Sequence, residues 1–161
     1  MRILGIDPGL ERVGYGLIDK QGSRLIVLDH GLIQTPRITL PERLALIHTR
    51  ILELVDQHKP DAIATERLLF TVNKTTAMDV AKALGVVLLA SSERGVEWAE
   101  YSPPEVKQSV VGNGAAEKKQ VQFMVQKLLG LETPPKPDDV ADALAIAITH
   151  AFRAPIQAPR K

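Results

Sequence analysis

Three short apolar segments crowd into the first 33 residues: Ile3–Ile6, Val13–Ile18 and Leu25–Ile33. The links between them are too short for a crossover helix, which needs a dozen or more residues. Strands joined this tightly run antiparallel, as a meander. Every later element must therefore be added to a sheet that already exists. Thr39, Pro41 and Glu42 form a capping-box pattern that starts a helix, and Leu44, Ile47, Ile51, Leu54 and Val55 continue it with helical period. Pro60 stops that helix, and Asp61–Glu66 reads as a fourth strand. A strand reached through a helix of this length is expected to pair in parallel.

Helix then alternates with strand. Residues 73–91 read as a helix and Val96–Tyr101 as a fifth strand. Ser102 and Glu105 cap a short helix that Gly112 and Gly114 break. Glu117–Leu129 forms another, ending at Gly130, and Asp138 is expected to cap a last helix running to about Phe152. The fold expected is α/β, a mixed five-stranded sheet of three antiparallel strands and two parallel additions, with helices on both faces. Its 161 residues suit one domain, 1–161, with a mobile tail from about residue 155. The seam Ala77, Ala81, Gly85 and the apolar face with Leu84 and Leu88 make the second helix apolar on two sides, as for a helix shared with a partner. Trp98 on its alternating strand is expected in the core, and the four histidines at surfaces or helix ends.

Composition excludes more than it selects. There is no cysteine, which rules out disulfides and thiolate metal sites and fits a cytoplasmic protein. No apolar run is expected to reach the ~18–20 residues of a membrane span, and the start lacks a signal-peptide pattern. A net charge of +1 does not mark a nucleic-acid binder, so any such role needs localised positive charge.

Four carboxylates in three distant segments are the chemical signal. Asp7 follows the first strand and Glu66 ends the fourth; if those strands are neighbours, the two acids lie side by side. Asp139 and Asp142, three apart, project from one helix face, but Asp138 and Asp142, four apart, would do so too. Spacing alone does not choose between Asp138 and Asp139. Gathered together, such acids would repel one another unless a hard cation such as Mg²⁺ or Mn²⁺ bound them. Two ions ~3.5–4 Å apart are suited to phosphodiester hydrolysis.

The segments GIDPG and GYG (5–9 and 14–16), LPERLALI (40–47), the Glu66 strand, VKQSVVGNGAAEKKQVQ (106–122) and DVADALAIAITH (139–150) together resemble the RuvC-type Holliday junction resolvases of bacteria, over about Met1–Phe152. The resemblance implies an RNase H-like fold. It also implies a homodimer that nicks two opposing strands of a four-way DNA junction with Mg²⁺ or Mn²⁺, leaving 5′-phosphate ends. The catalytic, metal-binding acids then fall on Asp7, Glu66, Asp139 and Asp142, and Asp138 is left as a cap. Some relatives carry histidine at the position of Asp139. The enteric pattern has a phenylalanine where Leu69 stands, so Leu69 or the adjacent Phe70 is expected to act at the junction centre. Lys107 and Lys118 are placed near the DNA backbone, and Lys119, Arg67 and Lys74 could also face it. Ala77, Ala81, Leu84, Gly85 and Leu88 become the expected dimer interface, and branch-migration motor proteins are implied partners.

Three other readings fit parts of the pattern. RNA-processing nucleases share the fold class, but the 106–122 segment points to the resolvases. Actin-like and sugar-kinase-like ATPases carry a phosphate loop resembling Asp7–Gly9 followed by Gly14, but need a second lobe that 161 residues cannot supply. A non-catalytic junction binder would not need all four acids.

Overall fold

The computed structural model describes residues 1–69 and 74–155. Five strands, β1 (Arg2–Asp7), β2 (Arg12–Gln21), β3 (Arg24–Gln34), β4 (Ala62–Glu66) and β5 (Glu97–Tyr101), form one sheet in the order β3-β2-β1-β4-β5. The meander pairs antiparallel, and β4 and β5 add in parallel beside β1, as the element order requires. Among the described residues there are five helices: α1 (Leu40–His58), α2 (Lys74–Glu93), α3 (Pro103–Val111), α4 (Lys118–Leu128) and α5 (Asp138–Arg153). The Thr39 and Ser102 boxes form as read, with each helix's first-turn glutamate accepting from the cap backbone N–H at 2.9 and 2.8 Å.

Strand alternation sends β1 side chains to two separate cores. Leu4 and Ile6 join Leu17, Ile63, Ile47, Ile51 and Val87 beneath α1 and α2. Ile3 joins Ile18, Ala64, Val121, Leu144 and Ile148 beneath α3, α4 and α5. A fully buried isoleucine such as Ile51 stabilises by about 1.5–3 kcal/mol. By the same period of two, Gly5 and Asp7 of β1 face α5.

Glycines set how close α5 lies. Gly5 pairs with Gly16, and Asp7 pairs with Gly14. A Cβ on Gly5 would sit 2.1 Å from the Ala143 carbonyl oxygen, and one on Gly14 would sit 2.0 Å from the Asp139 carbonyl oxygen. No side chain fits at either point, so the α5 backbone rests directly on the two strands. That contact brings the first turn of α5 over the end of β1.

Two expectations need correction here. Trp98 is 39% exposed, because β5 is an edge strand; its indole Nε1 donates to Thr65 Oγ1 at 3.0 Å. His150 lies in the last turn of α5, at a helix end as expected, and is buried there, with Nδ1 2.8 Å from the Tyr101 hydroxyl; burial lowers its pKa against the pull of Glu97. Thr75–Glu93 is, by length and composition, long and apolar enough to cross a membrane, although only 22% of that window is buried. Asp79 and Lys82, an ion pair at 3.7 Å, interrupt its apolar run. The expected tail falls largely on residues 156–161, outside the described residues.

Candidate active site

The four acids reach one place by three routes. Ile6 pairs with Thr65, so the next residues, Asp7 and Glu66, end adjacent parallel strands side by side. The glycine contact lowers Asp139 onto β2 beside Asp7, and one turn further along α5 Asp142 faces the same spot. The electrostatics register this gathering. Burial pushes the Asp7 carboxyl up to about 8, helped by repulsion from Asp142, Glu66 and Asp139 and opposed by Lys118. Glu66 is raised by burial and by Asp142, with Lys107 and Lys118 opposing. Asp142 is raised by burial, despite the attraction of Lys118.

Besides the more distant pull of Lys107 on Glu66, two side-chain cations form ion pairs with the α5 acids. Arg12 Nη2 lies 3.2 Å from Asp139 Oδ2, although that buried oxygen accepts no well-formed hydrogen bond. Lys118 Nζ lies 3.5 Å from Asp142 and 3.1 Å from Asp138. Burial works against the Lys118 ammonium, but the Asp138 hydrogen bond and the two aspartate charges outweigh it and hold it above its ordinary value. Asp138 is not the helix cap that was expected. Pro137 takes the cap position, and Asp138 ties α5 to α4 through Lys118 and Gln122 Nε2, which donates at 3.0 Å.

A cleft of ≈ 230 Å³ opens beside these acids, lined by Glu66, Asp142, Lys107, Lys118, Pro103 and Val106 among others. It therefore joins two of the acids to the two lysines singled out from the sequence. Lys119 is exposed and lies outside this lining. Arg67 turns to Glu100, with Nε donating to Oε1 at 3.0 Å, and Leu69 is an exposed apolar side chain three residues beyond Glu66. Phe70 lies outside the described residues, as does the Lys74 side chain. Arg12 carried no motif that would have marked it, and the GIDPG and GYG segments that hold Gly5 and Gly14 named no partner for them; the partners lie more than a hundred residues away in the chain.

Among the described residues no three acids or histidines stand close enough together to hold a metal ion as placed. The chemistry of the donors nevertheless fits one. All four are hard oxygen ligands, three are driven toward their neutral forms, and Asp139 Oδ2 is buried without a hydrogen bond. A divalent cation drawn among them would replace the charge now supplied by Arg12 and Lys118.

On the other face, Ala83, Val87 and Ala90 hold α2 to the core. Of the expected interface residues, Ala77 is buried, Ala81, Leu84 and Leu88 are half-buried, and Gly85 faces open space. Met78, at 57% exposure, and Leu89, at 52%, extend the outward apolar stripe at helical spacing. Neither was singled out from the sequence, although both fall on the period of Ala81 and Gly85.

A family profile described as crossover junction endodeoxyribonuclease RuvC matches residues 3–150. The crossover junction endodeoxyribonuclease RuvC of Alkaliphilus metalliredigens is 52% identical over 152 residues, which cover 94% of this chain and 93% of that one. Thermus thermophilus RuvC superposes with a TM-score of 0.89 at 40% identity, covering 96% of this chain and 95% of that one. The T. thermophilus RuvC solved in complex with Holliday junction substrate superposes with a TM-score of 0.91 at 41% identity, covering 96% and 94%.

Proposed function

The chain belongs to the crossover junction endodeoxyribonuclease RuvC family, and from that premise we propose that it resolves four-way DNA junctions by paired nicks at the Asp7 centre. The fold is the RNase H-like fold of that family, and the activity is that of an endonuclease acting on junction DNA in recombination and repair. One observation carries the site assignment. Asp7 is more deeply buried than Glu66 or Asp142 and feels the charges of Glu66, Asp139 and Asp142 together. A sheet centre gathers four acids where their charge has a use, since burying them otherwise costs free energy.

In this reading Asp7, Glu66, Asp139 and Asp142 hold divalent metal, Mg²⁺ or Mn²⁺, two ions per site. The metal supplies a polarised nucleophile and charge for the leaving oxygen of an in-line displacement. The protein's own groups do the rest. The sheet and the α5 contact fix the four carboxylates relative to one another. Lys118 and Lys107, beside the cleft, bind the flanking phosphates, with Lys118 exchanging Asp142 for phosphate oxygen. Arg67 and Lys119 extend the positive rim, with Lys74 assigned the same role, and Leu69 or Phe70 meets the unpaired bases at the junction centre. Products carry 5′-phosphate and 3′-hydroxyl ends.

The outward stripe of α2 supports a homodimer. Twofold symmetry would present two equivalent sites to two equivalent strands. Branch-migration motors remain expected partners, in the cytoplasm. The test is cleavage of a four-way DNA junction compared with duplex DNA and RNA, each with Mg²⁺ and Mn²⁺. Junction cleavage by symmetric nicks is expected, and equal cleavage of linear duplex would overturn the substrate assignment.

A further inference from the structure

Arg12 opens β2, and the period of two puts its side chain on the same sheet face as Gly14 and Gly16. Gly14 is the floor on which the first turn of α5 rests. From two residues before that floor, Arg12 reaches Asp139 sideways, Nη2 to Oδ2 at 3.2 Å. The oxygen it reaches is closed to solvent and accepts no well-formed hydrogen bond. A buried carboxylate oxygen in that condition is short of compensation, and the guanidinium is the nearest source of it.

The two acids of α5 are thus treated differently from the two strand acids. Asp139 has Arg12 and Asp142 has Lys118, whereas no ion pair among the described residues involves Asp7 or Glu66. The two cations also differ. Lys118 keeps Asp138 as a second partner if it leaves Asp142. Arg12 makes no second ion pair among the described residues, and its side chain is 55% exposed, so it can swing into water at little cost.

We infer that Arg12 is a positioning residue that acts as a displaceable counter-ion for Asp139. It holds the carboxylate over β2 in the metal-free protein and yields it when a divalent cation enters. Arg12 and the cation then compete for one oxygen, so the arginine weakens metal affinity while steadying the empty site. This rests on the metal-binding role proposed for the four acids.

Binding of Mn²⁺ alone to the full chain, without DNA, tests it by calorimetry on the wild type, Arg12→Gln, Arg12→Lys, Asp139→Asn and the double variant Arg12→Gln/Asp139→Asn. Arg12→Gln is expected to bind Mn²⁺ about two- to fivefold tighter, the scale of a half-exposed ion pair removed from the competition. Arg12→Lys should restore the weaker affinity, and the effect of Arg12→Gln should vanish in the Asp139→Asn background. Melting provides a second readout: metal-free Arg12→Gln should melt below wild type, and saturating Mn²⁺ should close the gap. Unchanged or weaker Mn²⁺ binding by Arg12→Gln, or a melting gap that persists in Mn²⁺, would overturn the inference. If the wild type binds no Mn²⁺ at all, the metal-site reading fails and this inference falls with it. If the wild type binds and Arg12→Gln binds equally, only this inference fails.

Discussion

The two faces of the sheet hold their helices by different means. Beneath α1 and α2 the strands present large side chains, Leu4, Ile6, Leu17 and Ile63, and the helices ride on them at ordinary distance. Beneath α5 the strands present Gly5, Gly14 and Gly16, and the helix backbone lies on the sheet itself. The first arrangement is a core and tolerates adjustment. The second fixes position, because backbone atoms in contact have no side chain left to repack. The acids are on the second face, which suggests that the close approach serves to place Asp139 and Asp142 against the strand acids.

The sharpest way to break this contrast is to add a methyl group to each kind of glycine. Gly5→Ala would drive a Cβ against the Ala143 carbonyl, costing about 3 kcal/mol or more and lifting the α5 acids away from Asp7. Junction cleavage should fall further than stability alone explains, measured as rate per folded molecule. On the opposite face, Ile51→Ala should cost a comparable ~2–4 kcal/mol in denaturant unfolding. Its cleavage rate per folded molecule should stay near wild type, since no acid rests on that core. Equal loss of cleavage in both variants would dissolve the distinction.

A smaller effect tests the charge on the α5 face. A carboxyl held at about 8 in the folded protein but ionised in the unfolded chain makes metal-free stability fall as pH rises from about 4 to about 8. Asp7→Asn removes that titration. Without metal at pH 7 the variant should be more stable than wild type by roughly 1–3 kcal/mol, with the gap shrinking toward pH 4. Urea melts across that range check it; a gap that widens as pH falls would contradict the burial account. The smallest effect is on α2. Gly85 faces open space, so Gly85→Ala should stabilise the isolated chain by about 0.5–1 kcal/mol through helix propensity. If the α2 stripe is a dimer seam, the same methyl should weaken self-association in sedimentation.

The contrast between the faces also explains what was legible in the sequence. Strand and helix order could be read from periods and caps, because those signals are local: Thr39 with Glu42, Ser102 with Glu105, and the short links of the meander. The pairing of Asp7 with Glu66 followed from one crossover. The position of α5 relative to β2 could not be read, since Gly14 and Asp139 are far apart in sequence and a missing Cβ announces no partner. Spacing left Asp138 and Asp139 equivalent; in the structure Asp138 turns to Lys118 and Gln122 instead. Trp98 was misplaced because alternation does not say which strand is at the edge, and the burial of His150 was not legible because a helix end need not be a surface. Arg12 had no pattern to mark it.

The most direct measurement takes Asp7→Asn, Glu66→Gln, Asp139→Asn and Asp142→Asn singly, and follows binding and cleavage of one four-way junction. If the four acids form one centre, each variant should bind the junction with near wild-type affinity, because phosphate contacts supply affinity, and each should lose at least about 10²-fold in cleavage rate. Wild-type cleavage by any one of the four would contradict a single four-carboxylate centre.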